Sequence, residues 1–173
     1  MLNTETAPRP VAEDILGYVE RFRATMEEGA PDVPESRTRY ATLLAEQGAP
    51  EHPVVTRELG IPTRHGAMRA RLYLPDGGGD GLLLYMHGGG FVVGDLDSVD
   101  TVLHSVSGGA GIAVLSLDYY LAPEHVYPVA LDQCVDALVW ADAHRGELDG
   151  GGPLAVGGDS AGGNLATLLS HWA

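Results

Sequence analysis

The chain has 173 residues, of which 45% are hydrophobic and 20% charged, and a single cysteine. This is too apolar for disorder and long enough for a sizeable core, and it holds no run of about 20 apolar residues for a membrane span. Ten arginines, no lysine and 24 acidic residues give a net charge of −14, which repels phosphate backbones and argues against nucleic-acid binding.

Nine of the arginines and eleven acids fall in residues 1–71, leaving Arg145 alone against thirteen acids in residues 72–173. The imbalance reads as the solvated surface of an arginine-preferring source, with a functional acidic face as the alternative. The N-terminus lacks the basic flank and apolar block of a secretory signal. With Cys134 as its one thiol, the chain forms no internal disulfide, and a cytoplasmic location is expected.

In chain order, Val11, Ile15, Val19 and Phe22 recur at helical spacing after Pro8 and Pro10. A Pro/Gly break at 29–34 leads to a second short helix over Ser36–Glu46. Residues 1–50 are therefore read as an N-terminal helical cap, a lid or a static cover. Strands are predicted at Val54–Leu59, Met68–Leu74 and Leu82–Met86, then a helix at Ser98–Ser107 and a strand at Ile112–Leu117. A helix at Val129–His144, a strand at Leu154–Val156 and a helix at Ala161–Ala173 complete the pattern. The last three strands are almost wholly apolar and alternate with helices, as parallel strands buried on both faces do. The expected class is α/β, with residues 51–173 forming one body.

Three stretches stand out, two of them for their chemistry. Gly158-Asp159-Ser160-Ala161-Gly162 is a G-x-S-x-G sequence between an apolar strand and a helix, the setting of a nucleophile elbow. A tight turn there strains the serine backbone and exposes its hydroxyl, while the Ala161 N–H at the helix start can donate to a developing oxyanion. A glycine-rich turn with an incidental serine is the competing reading. Second, His87-Gly88-Gly89-Gly90-Phe91 places three glycines directly after a strand, so that backbone N–H groups can crowd an anion. A dinucleotide loop is disfavoured because Val93 occupies the last glycine position of that pattern, and a P-loop needs a lysine. Third, Asp118-Tyr119-Tyr120-Leu121-Ala122-Pro123-Glu124-His125 is a strand end entering a proline-stiffened loop, with no catalytic logic of its own.

Taken in order, these three stretches closely resemble the hormone-sensitive-lipase-like family of α/β-hydrolases, the bacterial carboxylesterases, over roughly residues 54–173. The resemblance implies a mostly parallel sheet of eight strands with helices on both faces. It further implies hydrolysis of short- to medium-chain acyl esters, without metal or organic cofactor. By position it makes Ser160 the nucleophile and the N–H groups of Gly89, Gly90 and Ala161 the oxyanion hole, with His87, Gly88, Asp159 and Glu124 supporting the loops. Tyr120 stands where the family often has arginine, so the ion pair that commonly fixes this loop lacks that partner.

A serine needs a histidine base and an acid to orient it, and in α/β-hydrolases both follow the serine. Here no Asp or Glu follows Ser160, and the one later histidine is His171. On a continuous helix His171 lies about 16 Å from Ser160 along the axis, out of reach. The other histidines read as structural or solvated. The expectation is that the acid and base, with further strands, come from a continuation or a second polypeptide. About five strands are counted, with Leu154–Val156 an uncovered edge and Leu165, Leu168, Leu169 and Trp172 uncovered on the last helix. The alternatives are a non-catalytic small-molecule receptor on the same scaffold and an inactive truncated fragment.

Overall fold

A computed structural model describes Gly17, Glu20 and residues 32–45, 48–52, 54–148 and 151–172. The first predicted helix, carrying Val11, Ile15, Val19 and Phe22, lies outside the described residues but for Gly17 and Glu20, both helical. The second is α1, Val33–Ala45. Asp32 caps it, its carboxylate accepting the Glu35 N–H at 2.9 Å.

The strands are β1 (Val55–Thr63), β2 (Gly66–Leu74), β3 (Leu82–Met86), β4 (Ala113–Leu117) and β5 (Leu154–Gly158). Between them run α2 (Asp100–Ala110), introduced by a 3-10 turn at Asp97–Val99, and α3 (Val129–Ala143); α4 (Ala161–Trp172) follows β5. The sheet order is β1-β2-β4-β3-β5. β1–β2 and β2–β4 pair antiparallel, whereas β4–β3 and β3–β5 pair parallel. The parallel part is thus the apolar half of the sheet, where helical crossovers cover both faces.

The register shows how. Leu82, Leu84 and Met86 lie opposite Ala113, Leu115 and Leu117 and share a face with Met68, Ala70 and Leu72 under α3 and α4. Leu83 and Val114 turn to the other face, where Tyr73 and Val99 pack with Leu103 of α2. β4 is buried at every residue, which explains why its sequence shows no alternation.

One expectation needs correction. Leu165 and Leu169 are 2% and 0% exposed, because their four-residue spacing puts both on the α4 face packed into the main core. Leu168 does lie outward, at 44% exposure, and the Trp172 side chain lies outside the described residues. β5 is the sheet edge, as read from the sequence.

Candidate active site

Two turns meet at the C-terminal ends of the parallel strands β3 and β5, where α/β sheets place their sites. β5 passes into α4 through Asp159 and Ser160, and Ser160 holds a left-handed φ of 50°. A non-glycine residue there costs on the order of 1 kcal/mol and persists only where its surroundings impose it. They do so at Gly158 and Gly162. A Cβ on Gly162 would overlap the carbonyls of Met86 and His87, and one on Gly158 would strike the Met86 carbonyl. The first turn of α4 therefore lies directly on the end of β3. Ser160 is exposed, at the start of a helix whose first bonds run from Gly163 N–H to Asp159 O and from Asn164 N–H to Ser160 O. This leaves the Ala161 N–H directed out of the helix terminus.

The glycine loop sits opposite. Its key contact is Asp159, whose Oδ1 accepts the Gly88 N–H at 2.9 Å and the Tyr85 hydroxyl at 3.0 Å. A Cβ on Gly88 would overlap the same carboxylate. The residue before the serine is thus the tie between the two turns. Beyond it, the N–H groups of Val92 and Val93 both donate to the Gly89 carbonyl at 3.0 Å. In a trans peptide the N–H points opposite to the C=O. Pulling the Gly89 carbonyl back into the loop therefore turns the Gly90 N–H outward. Gly89 and Gly90 have φ of 121° and 61°, which glycine alone adopts freely.

His87 lies beneath this loop and is fully buried. Its Nδ1 is 2.6 Å from the Gly88 carbonyl, which can only accept, so Nδ1 carries the proton. Burial pushes the imidazole pKa down and favours the neutral ring. The ring stacks on Tyr119 at 4.4 Å, and the Tyr119 hydroxyl donates to the His87 carbonyl at 2.6 Å. His87 therefore shapes the exit of β3 and is too enclosed to exchange protons with an exposed serine.

Glu124 lies on the proline loop. Its carboxylate receives both Nη groups of Arg37, at 2.9 and 2.8 Å, from α1. An ion pair thus holds this loop after all, with its arginine supplied by the N-terminal helix in place of position 120. Tyr120 instead packs its ring against that of His125, tilted by 30° with centroids 4.4 Å apart. Hydrogen bonding to Arg37 holds the Glu124 carboxyl at about 2, against its ordinary 4.5. A depressed folded-state pKa contributes stability that is complete above 4.5 and lost as pH falls toward 2. The melting-temperature gap between the parent and Glu124→Gln is accordingly expected near neutral pH and to close over that acid window. A gap independent of pH would count against the ion pair. Both groups are partly exposed, so the gap is small.

None of the seven histidines hydrogen-bonds Ser160 Oγ. His171 is committed to the Thr167 carbonyl at 2.9 Å, His144 to Trp140 O, His104 to the Val54 N–H and His65 to Asp132. No carboxylate among the described residues reaches the serine hydroxyl either. No group of His, Cys, Asp or Glu among the described residues could hold a metal ion, and no helix among them is long and apolar enough to cross a membrane.

Sequence reasoning missed Arg37, Tyr85 and Tyr119 as parts of this site. Arg37 and Tyr85 lie in a helix and a strand without a local motif, and only folding brings them to the loops. Tyr119 lies within a stretch that showed no chemistry of its own. Its role becomes visible only when β4 is placed beside β3.

Comparison with known proteins supports the fold. A family model described as alpha/beta hydrolase fold matches residues 83–173. The carboxylic ester hydrolase LipN of Mycobacterium tuberculosis is 41% identical over 145 residues, 82% of this chain and 39% of LipN. An ethyl acetate hydrolase of Pseudomonas putida is 36% identical, over 91% of this chain and 54% of that enzyme. Among solved structures, a hyperthermophilic esterase from the archaeon Pyrobaculum calidifontis superposes with a TM-score of 0.83 at 33% identity, covering 95% of this chain and 54% of that one. The chain spans about half the length of the curated relatives it matches.

Proposed function

The chain belongs to the alpha/beta hydrolase family, and from that membership we propose that it is the nucleophile-bearing part of a serine carboxylesterase acting on short- to medium-chain acyl esters. The observation that carries the proposal is the left-handed, exposed Ser160 whose own neighbour, Asp159, is hydrogen-bonded to the glycine loop. In this reading Ser160 Oγ attacks the ester carbonyl carbon. The carbonyl oxygen becomes an oxyanion held by the N–H groups of Gly89, Gly90 and Ala161. The intermediate collapses by expelling the alcohol, which leaves an acyl group on Ser160 for water to remove. The proton of Ser160 passes to a histidine oriented by an acid, both supplied from outside these 173 residues by a continuation or a second polypeptide.

No metal or organic cofactor is invoked, and the N-terminal helices serve as a cap. The named relatives support ester hydrolysis as the reaction class, and the ethyl acetate hydrolase supports small acyl groups in particular. A cytoplasmic location fits the single cysteine, Cys134, which is buried and whose thiol burial pushes up to about 12.

Labelling by a fluorophosphonate tests the reading: in the whole protein the adduct is expected on Ser160. Tight binding of a neutral small molecule without any adduct would favour the receptor alternative. The charge makes a further expectation. The segment bearing both turns holds one arginine against thirteen acids, so at low salt a neutral ester should be turned over faster than its carboxylated analogue, with the difference shrinking as salt is added. Equal rates at low salt would contradict it.

A further inference from the structure

Arg37 makes four hydrogen bonds, and they reach both loops that frame the serine. Its Nε donates to the Val92 carbonyl at 2.9 Å, one Nη to the Ala122 carbonyl at 3.1 Å, and the two Nη groups together to both oxygens of Glu124. The Val92 N–H, on the same residue, is one of the two donors that pull back the Gly89 carbonyl and so turn the Gly90 N–H outward. The Ala122 N–H, for its part, holds the Phe91 carbonyl at 2.8 Å. Phe91 has a φ of 64°, the strained region for a residue with a side chain. Two consecutive loop residues following the oxyanion glycines, the strained Phe91 and Val92, are therefore held by one guanidinium and the residue it grips.

We infer that Arg37 is a positioning residue for the oxyanion hole, coupling the N-terminal helix α1 to the orientation of the Gly90 N–H through Val92 and, through Ala122, to Phe91. The inference rests on the esterase reading given above. A rigid planar fork can satisfy two carbonyls and a carboxylate at once, and an ammonium cannot span them. Because Arg37 touches no reacting atom, its effect falls on stabilisation of the transition-state charge more than on substrate binding.

The test measures kcat and KM of the whole protein for p-nitrophenyl acetate, with Ser160→Ala run alongside. Removing a direct oxyanion donor costs ~100- to ~1,000-fold in kcat, so a residue acting one step behind the donor is expected to cost roughly tenfold. Arg37→Met should therefore lower kcat about tenfold with KM changed less than about threefold, the signature of an interaction realised in the transition state. Arg37→Lys, which keeps the charge but not the fork, should fall between Met and the parent. Parent-like kcat in Arg37→Met, or a loss confined to KM, overturns the inference. Should Arg37→Met not fold, Arg37→Lys decides alone, and a parent kcat there overturns it equally. A parent rate that Ser160→Ala does not remove would instead overturn the esterase reading, and this inference with it.

Discussion

Replacing Ser160 by alanine in the whole protein is expected to lower kcat for ester hydrolysis by at least ~10,000-fold while leaving the melting temperature within a few degrees. The size follows from the chemistry: without the hydroxyl no acyl-enzyme forms, and what remains is solvent attack on an ester held in an oxyanion hole. The small stability effect follows from position. Ser160 is exposed and its Oγ has no hydrogen-bond partner among the described residues, so alanine removes nothing that the fold uses. The left-handed φ of 50° is imposed by the Gly158 and Gly162 contacts and remains. Retention of more than a tenth of the parent rate would show that another group is the nucleophile.

The second large effect is expected at Gly89. Alanine there meets two obstacles together: a φ of 121°, which a residue with a Cβ rarely adopts, and a Cβ position that overlaps the Val93 carbonyl. Relief requires the loop to open, which breaks the Val92 and Val93 hydrogen bonds to the Gly89 carbonyl and turns the Gly90 N–H away. Loss of one or two donors predicts a fall in kcat of ~100-fold or more. Ser160 itself is untouched by this change, so labelling by a small fluorophosphonate should slow without being abolished. Gly90→Ala offers an internal contrast. A Cβ on Gly90 meets no atom within contact distance, so only its φ of 61° is strained, and the loss should be smaller. Equal losses at the two positions would show that the Val93 contact is not what makes Gly89 indispensable.

Much of this architecture was legible beforehand. β3 was read at its observed bounds and α3 to within a residue, because a short apolar run ending in glycine and a helical stripe beginning after proline are unambiguous. β1 and β2 extend further than read, to Thr63 and back to Gly66, because they form a hairpin whose pairing continues past the apolar core of each strand. Composition marks burial and cannot mark where ladder hydrogen bonds stop. The uncovered face predicted for α4 holds at one of its three described leucines. Leu168 lies outward, but Leu165 and Leu169 are consumed by the core, a distinction that depends on which way the helix is rotated against β3 and β5.

By itself the sequence determined the local chemistry of each turn. Glycines at 88–90, 158 and 162 permit close approach, and a serine at 160 supplies a hydroxyl between a strand and a helix. These are properties of short segments, governed by backbone sterics within a few residues. What only the tertiary structure decided is how the turns are joined. Asp159 reaches across 71 residues to Gly88, Tyr119 caps the end of a neighbouring strand, and Arg37 comes 87 residues from its partner Glu124. Hydrogen bonds of that separation leave no periodicity and no spacing in the chain. They exist because the parallel order of β4, β3 and β5 brings three loop ends to one edge, where α1 closes over them.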